Sequence, residues 1–232
     1  MLTNPADAVK VPRKLDEIRH RTAFTIENQR LFLSVCTEFR WYAMLTFAFY
    51  TGCRQGEMIA LLWKDIDFDK KEITINKSAA TIKNRMGGPQ KAVTIIKEPK
   101  TTSRNRTLPL CDTIADIMRM HYRNQTALTE SVGRDMSGEE CVFTTLQGDM
   151  LDYRHMIKRF HIHMREAGLS GYTFHSMRHS FATRLIELNV NMKVVQEYMG
   201  HSSFAMTANT YSHVLPQIKK SEIEVLNQLE LT

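Results

Sequence analysis

Hydrophobic periodicity changes character twice along the 232 residues, and this limits the fold more than any single motif. In 25–36 ("TIENQRLFLSVC") and 40–52 ("RWYAMLTFAFYTG") apolar residues recur at helical spacing, and Gly52 suits a helix C-cap. "RQGEMIALLW" restarts a helix with Ile59, Leu62 and Trp63 on one face. The period then falls to two. "DIDFDKKEITINKSAATI", "AVTIIKEP" and "RTLPL" are strand-like and rich in β-branched residues, with "NRMGGPQK" supplying a Gly-Pro turn. Helical spacing returns over 112–124, 153–168, 174–189 and "MKVVQEYMG", which stops at Gly200, while 129–140 is polar and loop-like. The pattern predicts a mainly α protein with a small antiparallel β-sheet, the α+β class.

With 43% hydrophobic residues, the chain has enough apolar material for one large domain or two small ones. Residues 1–20, with prolines and mixed charge, suit a linker at a domain boundary; 21–215 form the main domain. The tail 216–232 places Ile218, Ile223, Leu226 and Leu229 at helical spacing and needs a partner surface. No apolar run is long enough to span a bilayer, and the N-terminus has no signal-peptide core. Cys36, Cys53, Cys111 and Cys141 are widely spaced, which gives neither a zinc motif nor a disulfide framework and suits reduced thiols inside a cell. The net charge of +6 and pI of about 9.2 favour a polyanion as partner, nucleic acid first. Lys83, Arg85, Lys91, Lys97, Lys100, Arg104 and Arg106 concentrate in the strand region against one acid, Glu98. Such a run is either a solvated hairpin or a hairpin lying along a phosphate backbone, with Lys83, Arg85, Lys91, Arg104 and Arg106 as the DNA contacts.

Several chemistries lack their parts. His175 and His179 share a helix face, but no Glu follows His175 as a zinc-protease motif requires, and His161 with His163 has no acid or thiol to complete a metal set. "TGCRQGE" has no GK[ST] and is not a phosphate loop, and no GxSxG elbow is present. What remains is a cationic set. Arg54 follows Gly52; His175 and Arg178 lie three apart on one helix; His201 follows Gly200; Lys100 lies in the basic hairpin; Tyr211 lies beyond. Two guanidiniums can clamp phosphate oxygens, histidines can donate or relay protons, lysine can protonate a leaving oxygen, and tyrosine can attack phosphorus.

These residues occur in four ordered boxes. "TGCRQGE" resembles the TGxRxGE box of the tyrosine recombinases, or phage integrase family. "PKTTSRNRTLPL" resembles its lysine-bearing hairpin, "HSMRHSFAT" its HxLRHxxAT box, and "MGHSSFAMTANTYSHV" its LGHxxxxxTxxxYxHV box. The resemblance extends from Thr51 to Val214. It implies the family's catalytic-domain fold, with Arg54 and Arg178 as the catalytic arginines, His175 and His201 as the histidines, Lys100 as general acid toward the leaving 5′ oxygen, and Tyr211 as nucleophile. Glu57 matches the acid that supports the site from behind. Met177 and Met199 replace leucines at similar volume, and Ser176 stands where another polar residue often occurs.

The implied activity is site-specific recombination of double-stranded DNA through a 3′-phosphotyrosyl bond and a four-way junction, without metal or nucleotide cofactor. The resemblance also implies a missing N-terminal DNA-binding region, a monomer that becomes a homotetramer on DNA, room for a directionality factor, and work in the cytoplasm of a bacterial or phage-infected cell. An extra strand within 77–96 favours a mobile-element integrase over a cellular Xer-like recombinase. A type IB topoisomerase-like enzyme and an inactive DNA-binding module compete with both.

Overall fold

The computed structural model describes residues 22–83, 92–97, 105–201 and 203–204. Its centre is a helix that buries nearly every face. α2 (Phe39–Thr51) follows α1 (Ile26–Ser34) and buries Trp41, Met44, Leu45, Phe47 and Phe49. A helix so apolar all round belongs inside a domain. It packs against α4 (Asp112–Ser131) on one side and α6 (Phe174–Glu187) on the other. An aromatic cluster extends the core: Phe24 stacks on Tyr172 with ring centroids 3.9 Å apart and meets Phe49 edge-on at 5.1 Å. α5 (Tyr153–Glu166) adds Phe160, 5.3 Å from Phe32.

The chain leaves α2 through Gly52, whose φ of 59° is left-handed. A Cβ there would lie 2.5 Å from the Phe181 ring, so both conformation and space require glycine. α3 (Gln55–Ile59) starts immediately afterwards. The helix expected to run on through Trp63 stops at Ile59 instead. Leu61 accepts from the Val142 amide at 2.8 Å, Leu62 bridges Cys141, and Asp65 Oδ2 accepts from the Leu62 amide at 2.9 Å. A neighbouring segment thus draws the backbone into an extended path before a short 3₁₀ turn over Trp63–Asp65.

The strand region forms two sheets rather than one. β1 (Ile66–Asp67), β2 (Glu72–Ile75) and β5 (Arg106–Pro109) make an antiparallel sheet in the order β1-β2-β5, with Ile73 opposite Leu108 and Ile75 opposite Arg106. Among the described residues, β3 (Ser78–Lys83) and β4 (Ala92–Lys97) pair only with each other. β3 lies against α3 so closely that a Cβ on Gly56 would be 2.5 Å from the Ala79 carbonyl oxygen. The second glycine of "TGCRQGE" is therefore a packing requirement.

α4 runs to Ser131, beyond the expected end, and takes in the start of the segment read as loop. α7 (Met192–Met199) is the last named element of the described residues. It buries Val195 and Met199 in a satellite cluster with Ala182 and Ile186 of α6. All four cysteines are free thiols. Burial first, then the charge of Glu57, pushes the Cys53 thiol up to about 11, so it is inert at neutral pH. No helix among the described residues is long and apolar enough to cross a membrane. The linker reading of 1–20 and the tail 216–232 lie outside the described residues.

Candidate active site

Two left-handed glycines and one helix start bring the cationic residues together. Arg54 sits at the N-cap of α3, just after the turn at Gly52. Its amide donates to Glu57 Oε2 at 2.8 Å, and its Nη1 donates to Glu57 Oε1 at 2.8 Å. Backbone and side chain of Arg54 are thus fixed by one carboxylate three residues on. Arg178 stands on α6, whose start is set by a capping box: the Thr173 amide donates to Ser176 Oγ at 3.0 Å. Ser176 therefore orients the helix that carries His175 and Arg178. Arg178 is 3% exposed; its Nη1 donates to the Gly52 carbonyl at 2.6 Å and its Nη2 to the Met199 carbonyl.

The end of α7 is where these elements converge. Gly200 terminates it at φ 56°, and His201 follows. Helix C-terminal carbonyls have no partner within the helix and form the negative end of its dipole. Here three consecutive carbonyls are each met by a different arginine. Tyr198 accepts from Arg106 Nε at 2.8 Å, Met199 from Arg178 Nη2, and Gly200 from Arg54 Nη2 at 3.1 Å.

Arg106 corrects the sequence reading. Expected on DNA, its side chain is 7% exposed and turned inward. Its Nη1 and Nη2 donate to Glu57 Oε1 and Oε2 at 3.1 and 2.8 Å. A signal for this was present: Arg106 and Leu108 lie two apart on β5, so they share the face that Leu108 buries.

The electrostatics follow from three guanidiniums around one carboxylate. Burial alone would raise the Glu57 pKa, but the hydrogen bonds and charge of Arg106, with the charge and amide of Arg54, bring it down to about 2. Burial disfavours the Arg106 cation, yet its pairing with Glu57 outweighs that and holds it above its ordinary range. Burial, then the repulsion of Arg54, pulls Arg178 down to about 10, which leaves it charged at neutral pH. Burial, then Arg178, Arg54, His175 and Arg106, pushes His201 down to about 4. At neutral pH its imidazole is uncharged, with one nitrogen to donate and one to accept. An anion in front of these groups would relieve their mutual repulsion. Arg54 is the accessible cation, with its side chain 40% exposed.

Arg54, Glu57, Arg178 and His201 are therefore gathered in one place, with the exposed His175 close enough to act on His201. Lys100 and Tyr211 lie outside the described residues, as do Arg85, Lys91 and Arg104. Lys83 ends β3. Among the described residues, no group of three or more His, Cys, Asp or Glu is arranged to hold a metal ion.

Comparison with known proteins places this geometry in context. The chain is 36% identical over 195 residues to a "Tyrosine recombinase XerC-like" protein of Caldanaerobacter subterraneus subsp. tengcongensis, covering 82% of this chain and 50% of that one. It is 27% identical to the ICEBs1 integrase of Bacillus subtilis, covering 97% of this chain and 59% of the relative. The chain thus spans about half the length of these curated relatives. Among solved structures, the Tn1549 transposon integrase in complex with transposon right end DNA is similar at a TM-score of 0.68 and 24% identity, over 97% of this chain and 70% of that one. XerA recombinase is similar at 0.65 and 16%, over 95% and 66%. At these identities the structural likeness concerns the fold. The model of the phage integrase family matches residues 23–217, most of the sequence, and the chain belongs to that family.

Proposed function

We propose that this chain carries the chemistry of a site-specific DNA recombinase, cutting and rejoining double-stranded DNA during integration or excision of a mobile element. The observation that carries the reading is the cluster itself: two guanidiniums, each with N–H donors that no contact among the described residues engages, and a neutral imidazole, gathered around the end of α7. Arginine has five N–H donors, and the protein contacts of Arg54 and Arg178 among the described residues engage two of each. Such preorganised donors favour a transition state in which negative charge builds on phosphate oxygens.

In the first step the Tyr211 oxygen bonds to phosphorus as the bond to the 5′ oxygen breaks. Lys100 gives that oxygen its proton. A phenol of pKa ~10 needs help to lose its proton: the cationic field of Arg54 and Arg178 favours the phenolate, and the exposed His175 relays the proton to water. His201, uncharged and too weak a base to take it, donates a hydrogen bond to a phosphate oxygen. The product is a 3′-phosphotyrosyl bond and a free 5′ hydroxyl. In the reverse sense, a 5′ hydroxyl from the partner strand attacks that bond and releases Tyr211. Two such rounds form and resolve a four-way junction. One phosphoester is exchanged for another at every step, so no nucleotide energy is consumed.

Strand exchange between two duplexes calls for four active sites, hence a homotetramer on DNA formed from monomers, with the tail 216–232 available for subunit contacts. A directionality factor and a cytoplasmic setting in a bacterial or phage-infected cell complete the proposal. The separate β3–β4 hairpin supports the mobile-element reading. The 36% identity to the XerC-like relative favours a second reading, a cellular recombinase. A nicked suicide duplex is the test, made once with an element end and once with a chromosome-dimer resolution site. A covalent adduct that resists denaturing detergent is expected with the element end and not with Tyr211→Phe. An adduct that survives Tyr211→Phe removes the nucleophile, and a rate that collapses with EDTA removes the metal-free mechanism.

A further inference from the structure

We propose that Arg106 is a positioning residue: its guanidinium fixes the last turn of α7, and with it His201, while holding the carboxylate that orients Arg54. The consequence for catalysis rests on the recombinase reading; the structural role does not.

Three arginines hold the end of α7, but they differ in what else they face. The Arg54 side chain is 40% exposed, whereas that of Arg106 is 7% exposed and touches protein through each of its three guanidinium nitrogens. Nε engages the Tyr198 carbonyl, Nη1 and Nη2 the two oxygens of Glu57. Its base is the first residue of β5, held in register opposite Ile75. The side chain therefore joins the sheet to α3 and to α7. Gly200 lies directly on it: a Cβ there would be 3.1 Å from Arg106 Nη1. The left-handed residue that turns the chain toward His201 thus rests against this guanidinium.

Only a planar fork can make these contacts together. A lysine in place of Arg106 keeps the charge, but its single ammonium cannot meet both Glu57 oxygens and a carbonyl on another element. Glu57 would keep Arg54 as a partner but lose its bidentate hold. Arg54 and the α7 end would then each sample a wider range, and misplacement of catalytic groups by about 1 Å can cost ~10²-fold in rate.

The test uses Arg106→Lys and Arg106→Gln beside the wild type, with two independent readouts. Amide exchange reads position without any DNA. Faster exchange by ~10-fold or more is expected at Met199, Gly200 and His201 in both variants, with the amides that close α2 at Phe49–Gly52 unchanged. Equal loss of protection in both helices, or none in α7, overturns the proposal. The second readout separates rate from affinity on the nicked duplex. Single-turnover adduct formation at saturating DNA should fall roughly 10–10²-fold in Arg106→Lys, with DNA affinity and its salt dependence unchanged. Full rescue by lysine, or a salt slope reduced by about one counterion in Arg106→Gln, makes Arg106 a phosphate contact and overturns the proposal. If the wild type forms no Tyr211-dependent adduct, the recombinase reading fails while the exchange measurement still decides the role of Arg106.

Discussion

α2 and α7 end alike: each finishes at a left-handed glycine, at φ 59° for Gly52 and 56° for Gly200, and each leads within two residues to a cation-site side chain. They are held differently. α2 is buried along its length, and the Phe181 ring packs against Gly52. α7 buries only Val195 and Met199, which contribute about 1.5–3 kcal/mol each before entropy is counted. Its terminal carbonyls receive three charge-assisted hydrogen bonds, at about 1.5–3 kcal/mol each. For α7 the polar cap, at about 4.5–9 kcal/mol, therefore outweighs the apolar contact, at about 3–6 kcal/mol. The same backbone signal is secured by packing in one helix and by charge in the other, and the charged end is the one beside His201.

The largest expected effect breaks the packed end. Gly52→Ala combines left-handed strain of about 1–2 kcal/mol with displacement of Phe181 at about 1–3 kcal/mol. Urea denaturation should show a loss of about 2–5 kcal/mol; a loss below about 1 kcal/mol would mean that packing does not fix this end.

Acid should weaken the charged end. The folded pKa of Glu57 is depressed to about 2 from 4.5, so its contribution is complete above pH 4.5 and is lost as pH falls toward 2, a change of roughly 3 kcal/mol. His201, depressed to about 4 from 6.5, acts in the same direction at higher pH: the unfolded chain takes up its proton below 6.5 while the folded one does not. Denaturation between pH 7 and 2.5 should show two successive losses, the first reduced but not abolished in His201→Gln, because burial also pushes His121 down to about 4 and it titrates over the same range. A His201 imidazole titrating near 6.5 by NMR in the free protein would remove both the burial and the arginine repulsion assigned to it.

Arg178 joins the two ends, since it donates to Gly52 and to Met199. Arg178→Lys keeps a charge but cannot span both carbonyls, and adduct formation should fall on the order of 10²-fold or more. A fall of less than about tenfold would show that charge alone suffices there. The smallest change is Gly200→Ala, about 1–2 kcal/mol from backbone strain, because its neighbour is the end of a side chain rather than a packed ring. A loss equal to that of Gly52→Ala would erase the contrast.

Much of this was legible in the residues. Gly52 and Gly200 marked both helix ends, and period-two alternation located the strands. The four boxes named Arg54, Glu57, Arg178 and His201 of the cluster, but not Arg106. Three features were hidden for one reason: each depends on a neighbour distant in sequence. α3 stops at Ile59 because residues 138–142 pair with the chain that follows it. The strands divide into two sheets because β2 selects β5 rather than β3. Arg106 turns inward because Glu57 and Tyr198 wait on that side.

The sequence by itself determined the fold class, the family and most of the clustered residues, Arg106 excepted, because periodicity, glycine caps and box spacing are local and need no knowledge of packing. Only the tertiary structure decided how those residues act on one another. A net positive charge does not say which arginine faces a substrate and which faces a carboxylate. That depends on burial and on distances between α3, β5, α6 and α7, and the same contacts depress the pKa of His201 and of Glu57.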